Sequence, residues 1–195
     1  TPPLATAAPA YVLAEIQAPA GAAAAEEIFM ANLVAAMEDG LALDAVVSQS
    51  PREFQALWDL RDGCPEYVRS LQHVASGDIS VPTARIADFL HESQAALRAI
   101  DPETAFHVFG HLGDGNLHYV FQTPQKEPAM ARLLQLVSDY GGSISAEHGI
   151  GVDKKAFLHL SRSPAQIATM RLLKTALDPQ MILNRGRIFD MPAAG

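Results

Sequence analysis

Several common labels are excluded by what this chain lacks. One cysteine, Cys64, stands in 195 residues, so neither an internal disulfide nor a cysteine-rich zinc module can form. It precedes Pro65 and reads as an incidental thiol. No apolar run approaches the roughly 20 residues needed to span a bilayer. Lys and Arg number 14 against 22 Asp and Glu, a net charge of −8 with no basic stripe, which argues against nucleic acid as a partner. The opening Thr1-Pro2-Pro3 has no Met and no basic region ahead of an apolar core, so it reads as a cut inside a longer protein and not as a signal peptide. No internal repeat or charge block appears. The remainder is ordinary globular composition, 49% hydrophobic and 18% charged, at a length that suits one domain with or without a helical appendage.

The most informative stretch is Gly110-His111-Leu112-Gly113-Asp114-Gly115-Asn116-Leu117-His118. Asp-Gly is a preferred pair for a two-residue type I′ hairpin turn, which needs positive φ at both positions. A turn centred on Asp114-Gly115 sets His111 directly opposite His118, with Cβ atoms about 4.5–5.5 Å apart. Two imidazoles so placed can close on one metal ion. Alternation assigns Phe106, Val108, Leu112, Leu117, Tyr119 and Phe121 to an apolar face. His107, His111, Asn116, His118 and Gln122, with Phe109 and Val120 among them, fall on the opposite face.

A second polar constellation follows at Ser145-Ala146-Glu147-His148-Gly149-Ile150-Gly151. A carboxylate and a histidine adjoin at an expected strand end, with glycines behind them that let backbone approach a ligand. Glu147 can complete a two-histidine, one-carboxylate set that leaves coordination positions open for substrate. A solvated Gly-rich turn is the simpler alternative for this stretch taken alone.

Around these motifs the pattern predicts a linker over 1–9 and a domain over 10–195. Strands are expected at Tyr11 to Ile16, Leu43 to Val47 and Ser143 to Glu147, besides the hairpin. Helices are expected over 22–39, from Ser50-Pro51-Arg52-Glu53 onward, from Pro82 to about Ala99, near 129–139, and from Ser163-Pro164-Ala165-Gln166 to Asp178-Pro179. The stretch from Gly63 to Ser80 reads as irregular. The class expected is α+β, a ferredoxin-like antiparallel or mixed sheet with helices on one face and extra helices.

The hairpin motif, the Ser145–Gly151 stretch with Lys154, and the closing Asp178-Pro179-Gln180-Met181-Ile182-Leu183-Asn184-Arg185-Gly186-Arg187 resemble the C-terminal domain of FAD-linked oxidoreductases. That family includes D-2-hydroxyglutarate dehydrogenase, D-lactate dehydrogenases and the glycolate oxidase flavin subunit. Leu57-Trp58-Asp59-Leu60-Arg61-Asp62 and Asp78-Ile79-Ser80-Val81-Pro82 are similar to two more of its motifs, in the same order.

The resemblance implies the substrate- and metal-binding half of a flavoenzyme whose FAD-binding domain precedes it, a piece expected to be inactive alone. It implies that His111, His118 and Glu147 ligate a divalent metal, zinc or manganese, and that His148 takes the substrate hydroxyl proton. Arg61 would bind a substrate carboxylate, Asn116 would line the substrate site, and Asn184 would stand near the flavin. The implied reaction oxidises a small D-2-hydroxy acid to its 2-oxo acid with hydride transfer to flavin. The electron acceptor is unspecified, and a homo-oligomer is the expected assembly. A cytoplasmic location is expected, or one peripheral to a membrane through that acceptor.

Three positions depart from the family pattern. Ser76 replaces a lysine, Val120 an asparagine, and Arg185 a proline. The first two remove polar groups that a second substrate carboxylate would need. Two other readings remain open: a self-contained metallohydrolase in which His148 activates water, and a non-catalytic assembly domain. A complete active site within this chain would favour the former, and metal binding without substrate turnover the latter.

Overall fold

The computed structural model describes residues 3–17 and 22–191, so Thr1 and Pro2 of the expected linker and the last four residues lie outside the description. The chain divides into two compact units, Thr1–Ser70 and Leu71–Gly195.

The first unit is helical, with α1 (Ala22–Glu38), α2 (Pro51–Asp62) and α3 (Cys64–Ser70). Helix α2 begins where the capping residues predict: Pro51 opens it, and the Ser50 hydroxyl accepts the Glu53 N–H at 3.3 Å. The Glu53 carboxylate takes the N–H of Gln49 at 2.7 Å, one residue ahead of the expected capping-box partner. Helix α1 ends at Gly40, whose φ of 71° supplies the left-handed break. The strands expected at 11–16 and 43–47 do not form. Each is a short apolar run of a kind that periodicity alone assigns poorly. Among the described residues this unit offers neither of them a strand to pair with.

The second unit carries the sheet: β1 (Val74–Ser80), α4 (Ile86–Arg98), β2 (Ala105–His111), β3 (Asn116–Gln122), α5 (Lys126–Asp139) and α6 (Pro164–Leu177). The strands lie in the order β1-β3-β2, antiparallel throughout, so the α+β class and the antiparallel alternative both hold. β1, α4 and β2 form a split β-α-β with β3 between the two strands. Among the described residues the sheet has three strands. The run expected as a further strand at 143–147 makes a single bridge, Ser143 to Ser80. Beyond it the Ser143 hydroxyl bonds the carbonyl of Ser145 at 2.9 Å, so a side chain competes with the ladder for backbone groups.

β1 was not legible in the sequence because Val74-Ala75-Ser76-Gly77-Asp78 shows no apolar alternation and carries a glycine inside. Its core-facing side is completed from elsewhere, with Leu133 and Met130 of α5 lying over Gly77. The helices cover one face of the sheet. Helix α4 buries Ile86, Phe89, Ser93 and Leu97, a helical stripe, and α5 buries Ala129, Leu133, Leu136 and Val137 on another. They close over Ile79, Leu117, Tyr119 and Phe121. Ser163 and Gln166 form the predicted reciprocal cap of α6.

The hairpin register differs from expectation. Asn116, not His118, stands opposite His111, and His118 stands opposite Phe109. A type I′ turn needs two positive φ values, and of the tip residues only Gly115 has one, at 74°. The connection is therefore four residues long, 112–115. The slip is of two residues, an even number, so every strand residue keeps its face. Leu112 falls in the turn and is exposed.

Tyr119 gives this core a pH signature. Burial pushes its phenol up to about 12, although the hydrogen bond with the Ser93 hydroxyl (2.9 Å) and the charge of Arg98 oppose that shift. The native phenol thus holds its proton more tightly than the unfolded one. The resulting stability, about 2–3 kcal/mol, is complete below the usual tyrosine range and lost as pH rises through it towards 12. Tyr119→Phe should cost about 1 kcal/mol at neutral pH. It should also flatten the fall in urea midpoint between about pH 9 and 11. A wild-type fall no steeper than the variant's would refute this.

Candidate metal and active site

The sheet face away from α4 and α5 carries the polar residues. Register places Ser76, Asp78 and Ser80 of β1 beside Val120, His118 and Asn116 of β3, with His107, Phe109 and His111 of β2 beyond. His118 thus sits on the central strand between Asp78 and Phe109, its ring 5.2 Å from that of Phe109. His111 lies on the diagonal, with ring centroids 5.8 Å apart at 80°. Diagonal neighbours on one sheet face remain within reach of long side chains. The slipped register therefore still brings the two imidazoles together.

Glu147 and His148 arrive on the loop after α5. The chain turns at Gly141 and passes so close to β1 that a Cβ on Gly142 would lie 2.1 Å from the Ser80 carbonyl oxygen. Only glycine permits that approach. Ser143 then bridges Ser80, and the loop continues along the end of β1. Buried Asp78 receives it: Oδ2 accepts the N–H of Glu147 at 2.8 Å and that of His148 at 3.0 Å. His148 Nδ1 is 3.7 Å from the same oxygen, and its ring stacks at 29° and 6.4 Å from that of His118. Lys154 donates to the Asp78 carbonyl at 2.8 Å.

Burial pushes the Asp78 carboxyl pKa up. The two backbone N–H groups and the nearby His148 and Lys154 outweigh it, so the net shift is below the ordinary carboxylate range. Burial lowers the Lys154 pKa against the opposing charges of Asp78 and Asp153.

His111, His118 and Glu147 each offer one ligand atom, and these atoms lie within 4.8 Å of one another. His111 Nε2 is 3.9 Å from Glu147 Oε1, the oxygen that also accepts from Asn116 Nδ2 at 2.7 Å. Zinc holds N and O donors at about 2.0–2.2 Å, which puts tetrahedral neighbours about 3.4 Å apart. The cluster must close by about 1.4 Å at its widest. Both His111 and Glu147 are exposed enough to rotate, with side chains 40% and 50% accessible. Two imidazoles and a carboxylate form a donor set suited to a borderline divalent cation. Asp78 Oδ1 and Asn116 Oδ1 are also buried beside the set without a hydrogen-bond partner among the described residues, as in a site built to take a further group. The residues fit the ion.

The model for FAD linked oxidases, C-terminal domain, matches residues 2–188. The chain belongs to this family. It is 38% identical to a D-2-hydroxyglutarate dehydrogenase of Xanthomonas citri over 198 residues, covering 96% of this chain and 41% of the relative. A D-2-hydroxyglutarate dehydrogenase of Stutzerimonas stutzeri is 37% identical over 96% of this chain and 42% of its own length. A mitochondrial D-2-hydroxyglutarate dehydrogenase of Danio rerio is 31% identical over 92% of this chain and 34% of its own length. The chain thus spans about two fifths of the first two relatives.

Within this FAD-linked oxidase domain, five of the seven expected site residues converge: His111, His118, Glu147, His148 and Asn116. Asn184 lies in the loop after α6 with φ of 47°. That loop is built by Asp178, whose carboxylate accepts the N–H groups of Ile182 at 3.0 Å and Leu183 at 2.9 Å. The Lys174 hydrogen bond, with those two N–H groups, holds the Asp178 pKa at about 2. Arg61 belongs to the first unit, near the end of α2, with its guanidinium 3.1 Å from Asp62 Oδ1. Sequence pattern gave no sign of the part Asp78 plays, because its backbone partner in Glu147 is 69 positions away. No helix among the described residues is long and apolar enough to cross a membrane.

Proposed function

We propose that this domain binds substrate and a divalent cation in a flavin-dependent dehydrogenase that oxidises a D-2-hydroxy acid to the 2-oxo acid. The observation that carries the reading is the convergence of His111, His118 and Glu147 beside His148, in a chain of the FAD-linked oxidase C-terminal family. The names of its relatives supply the substrate class. Asn116 holds Glu147 in place through one carboxylate oxygen. His148, stacked beside His118 and exposed, takes the hydroxyl proton of the substrate. Arg61 is suited to a substrate carboxylate because its guanidinium offers two parallel donors. When bound, the cation would acidify a hydroxyl near it and the flavin of the accompanying domain would accept the hydride. Asn184, on its braced loop, would stand toward the flavin. The enzyme would work in the cytoplasm as a homo-oligomer, passing its electrons to an acceptor in solution or at a membrane surface.

The test is metal content. The chain should retain about one equivalent of zinc or manganese after dialysis. His111→Ala and His118→Ala should each abolish it, because the remaining two ligands bind too weakly to compete with buffer. In the full-length enzyme His148→Ala should lower kcat by about 10²–10⁴ while leaving bound metal in place. Full metal in both single histidine variants would sink the assignment.

A further inference from the structure

Among the described residues, Asp78 is the one buried carboxylate that touches both the loop and the sheet of this site, and the expected reaction gives it no part. We infer that Asp78 is a positioning residue: it sets the Glu147–His148 peptide against the sheet so that Glu147 meets His111 and His118 while His148 faces the same spot. This rests on the metal reading above.

The argument starts from where the loop gets its order. Glu147 and His148 belong to no helix or strand, and both side chains are well exposed. Their backbone N–H groups converge on Asp78 Oδ2, at 2.8 and 3.0 Å. A carboxylate accepting two consecutive N–H groups fixes the peptide between them, and charge-assisted bonds of this kind are roughly twice as strong as neutral ones. Asp78 is itself rigid. It pairs with His118 in the β1–β3 ladder, its carbonyl takes the Lys154 ammonium at 2.8 Å, and only 6% of its surface is accessible. The residue that anchors the loop is therefore the ladder neighbour of one metal-ligating candidate, and the loop carries the next. Remove the anchor and the entropy of the loop returns, so that Glu147 must be ordered again each time the ion binds.

Zinc alone, titrated into the chain by calorimetry, provides the test. Asp78→Ala should weaken binding about ten- to hundredfold. Asp78→Asn keeps one oxygen for the two N–H groups and should restore affinity to within a few-fold of wild type. Non-specific damage to the fold would not predict that rescue. A second measurement needs no variant: the Glu147 and His148 amides should exchange with deuterium far more slowly than the neighbouring Gly149 amide. It still decides the matter should Asp78→Ala not fold. Free exchange at both amides, or wild-type zinc affinity in a folded Asp78→Ala, overturns the proposal. His118→Ala separates the two readings. If it too binds zinc normally, the metal assignment has failed; if it loses zinc while Asp78→Ala does not, the positioning role alone has failed.

Discussion

Gly115→Ala should be among the most damaging single-methyl changes in this domain. A Cβ at that position would lie 2.1 Å from the carbonyl oxygen of Val81, and the residue has φ of +74°. The obstacle is backbone, held by the hydrogen bond from Val81 N to Gly115 O at 3.1 Å, so no side chain can simply swing aside. Left-handed strain in a residue with a Cβ costs about 1–2 kcal/mol, and displacing the hairpin tip from β1 adds the loss of that bond and its packing. A total of about 3–4 kcal/mol is expected, a fall of about 10 °C in Tm for a chain of this size. Zinc affinity should fall with it, because the tip fixes where His111 ends and Asn116 begins. Gly113→Ala is the control. It lies two residues away, and an added Cβ there meets nothing within 4 Å. It should change stability by no more than about 0.5 kcal/mol. Equal midpoints for the two variants in thermal or urea unfolding would show that the close approach at Gly115 carries no energy.

The same tip shows what was legible in the sequence. Asp114-Gly115 announces a hairpin, and alternation sorts Phe106, Tyr119 and Phe121 from His111, Asn116 and His118 correctly. Register was not legible, because it depends on the docking of Gly115 against Val81, a contact set by a strand that the pattern did not reveal. Since the slip is by two, faces survived and the candidate site survived with them. β1 was hidden for a complementary reason. Its buried faces are served by α5 on one side and by loop N–H groups on the other, so its own sequence need not alternate. The caps of α2 and α6 were legible because Ser-Pro followed by a side chain able to reach back is a local device. The apolar runs at 11–16 and 43–47 have a strand's composition but, among the described residues, no strand to pair with, and a strand requires both.

Substrate choice gives the second large effect. Among family members the resemblance leads one to expect a lysine and an asparagine where this chain has Ser76 and Val120. The structure shows that these two positions are ladder partners, one step along the same sheet face from Asp78 and His118. Both departures therefore fall at one place beside the candidate site. Val120 is 1% accessible and offers no polar atom, and Ser76 is exposed and uncharged. A monocarboxylate needs an anion partner only at its 2-hydroxy acid end. A dicarboxylate such as 2-hydroxyglutarate needs a further partner at its far end, and a carboxylate removed from water without one costs several kcal/mol. The full-length enzyme should therefore favour a D-2-hydroxy monocarboxylate with a small or apolar side chain, by about a hundredfold in kcat/KM, equivalent to about 2.7 kcal/mol. Ser76→Lys should recover about tenfold of the diacid rate, since an exposed edge-strand lysine is easily accommodated and restores the missing charge. Val120→Asn alone should not, because an amide adds no charge for the second carboxylate, and burying it in place of an apolar side chain costs stability of about 1–3 kcal/mol. Steady-state kinetics on both acids with an artificial electron acceptor decides the matter. A clear preference for the diacid in the unmodified enzyme would show that residues other than these two recognise its second carboxylate.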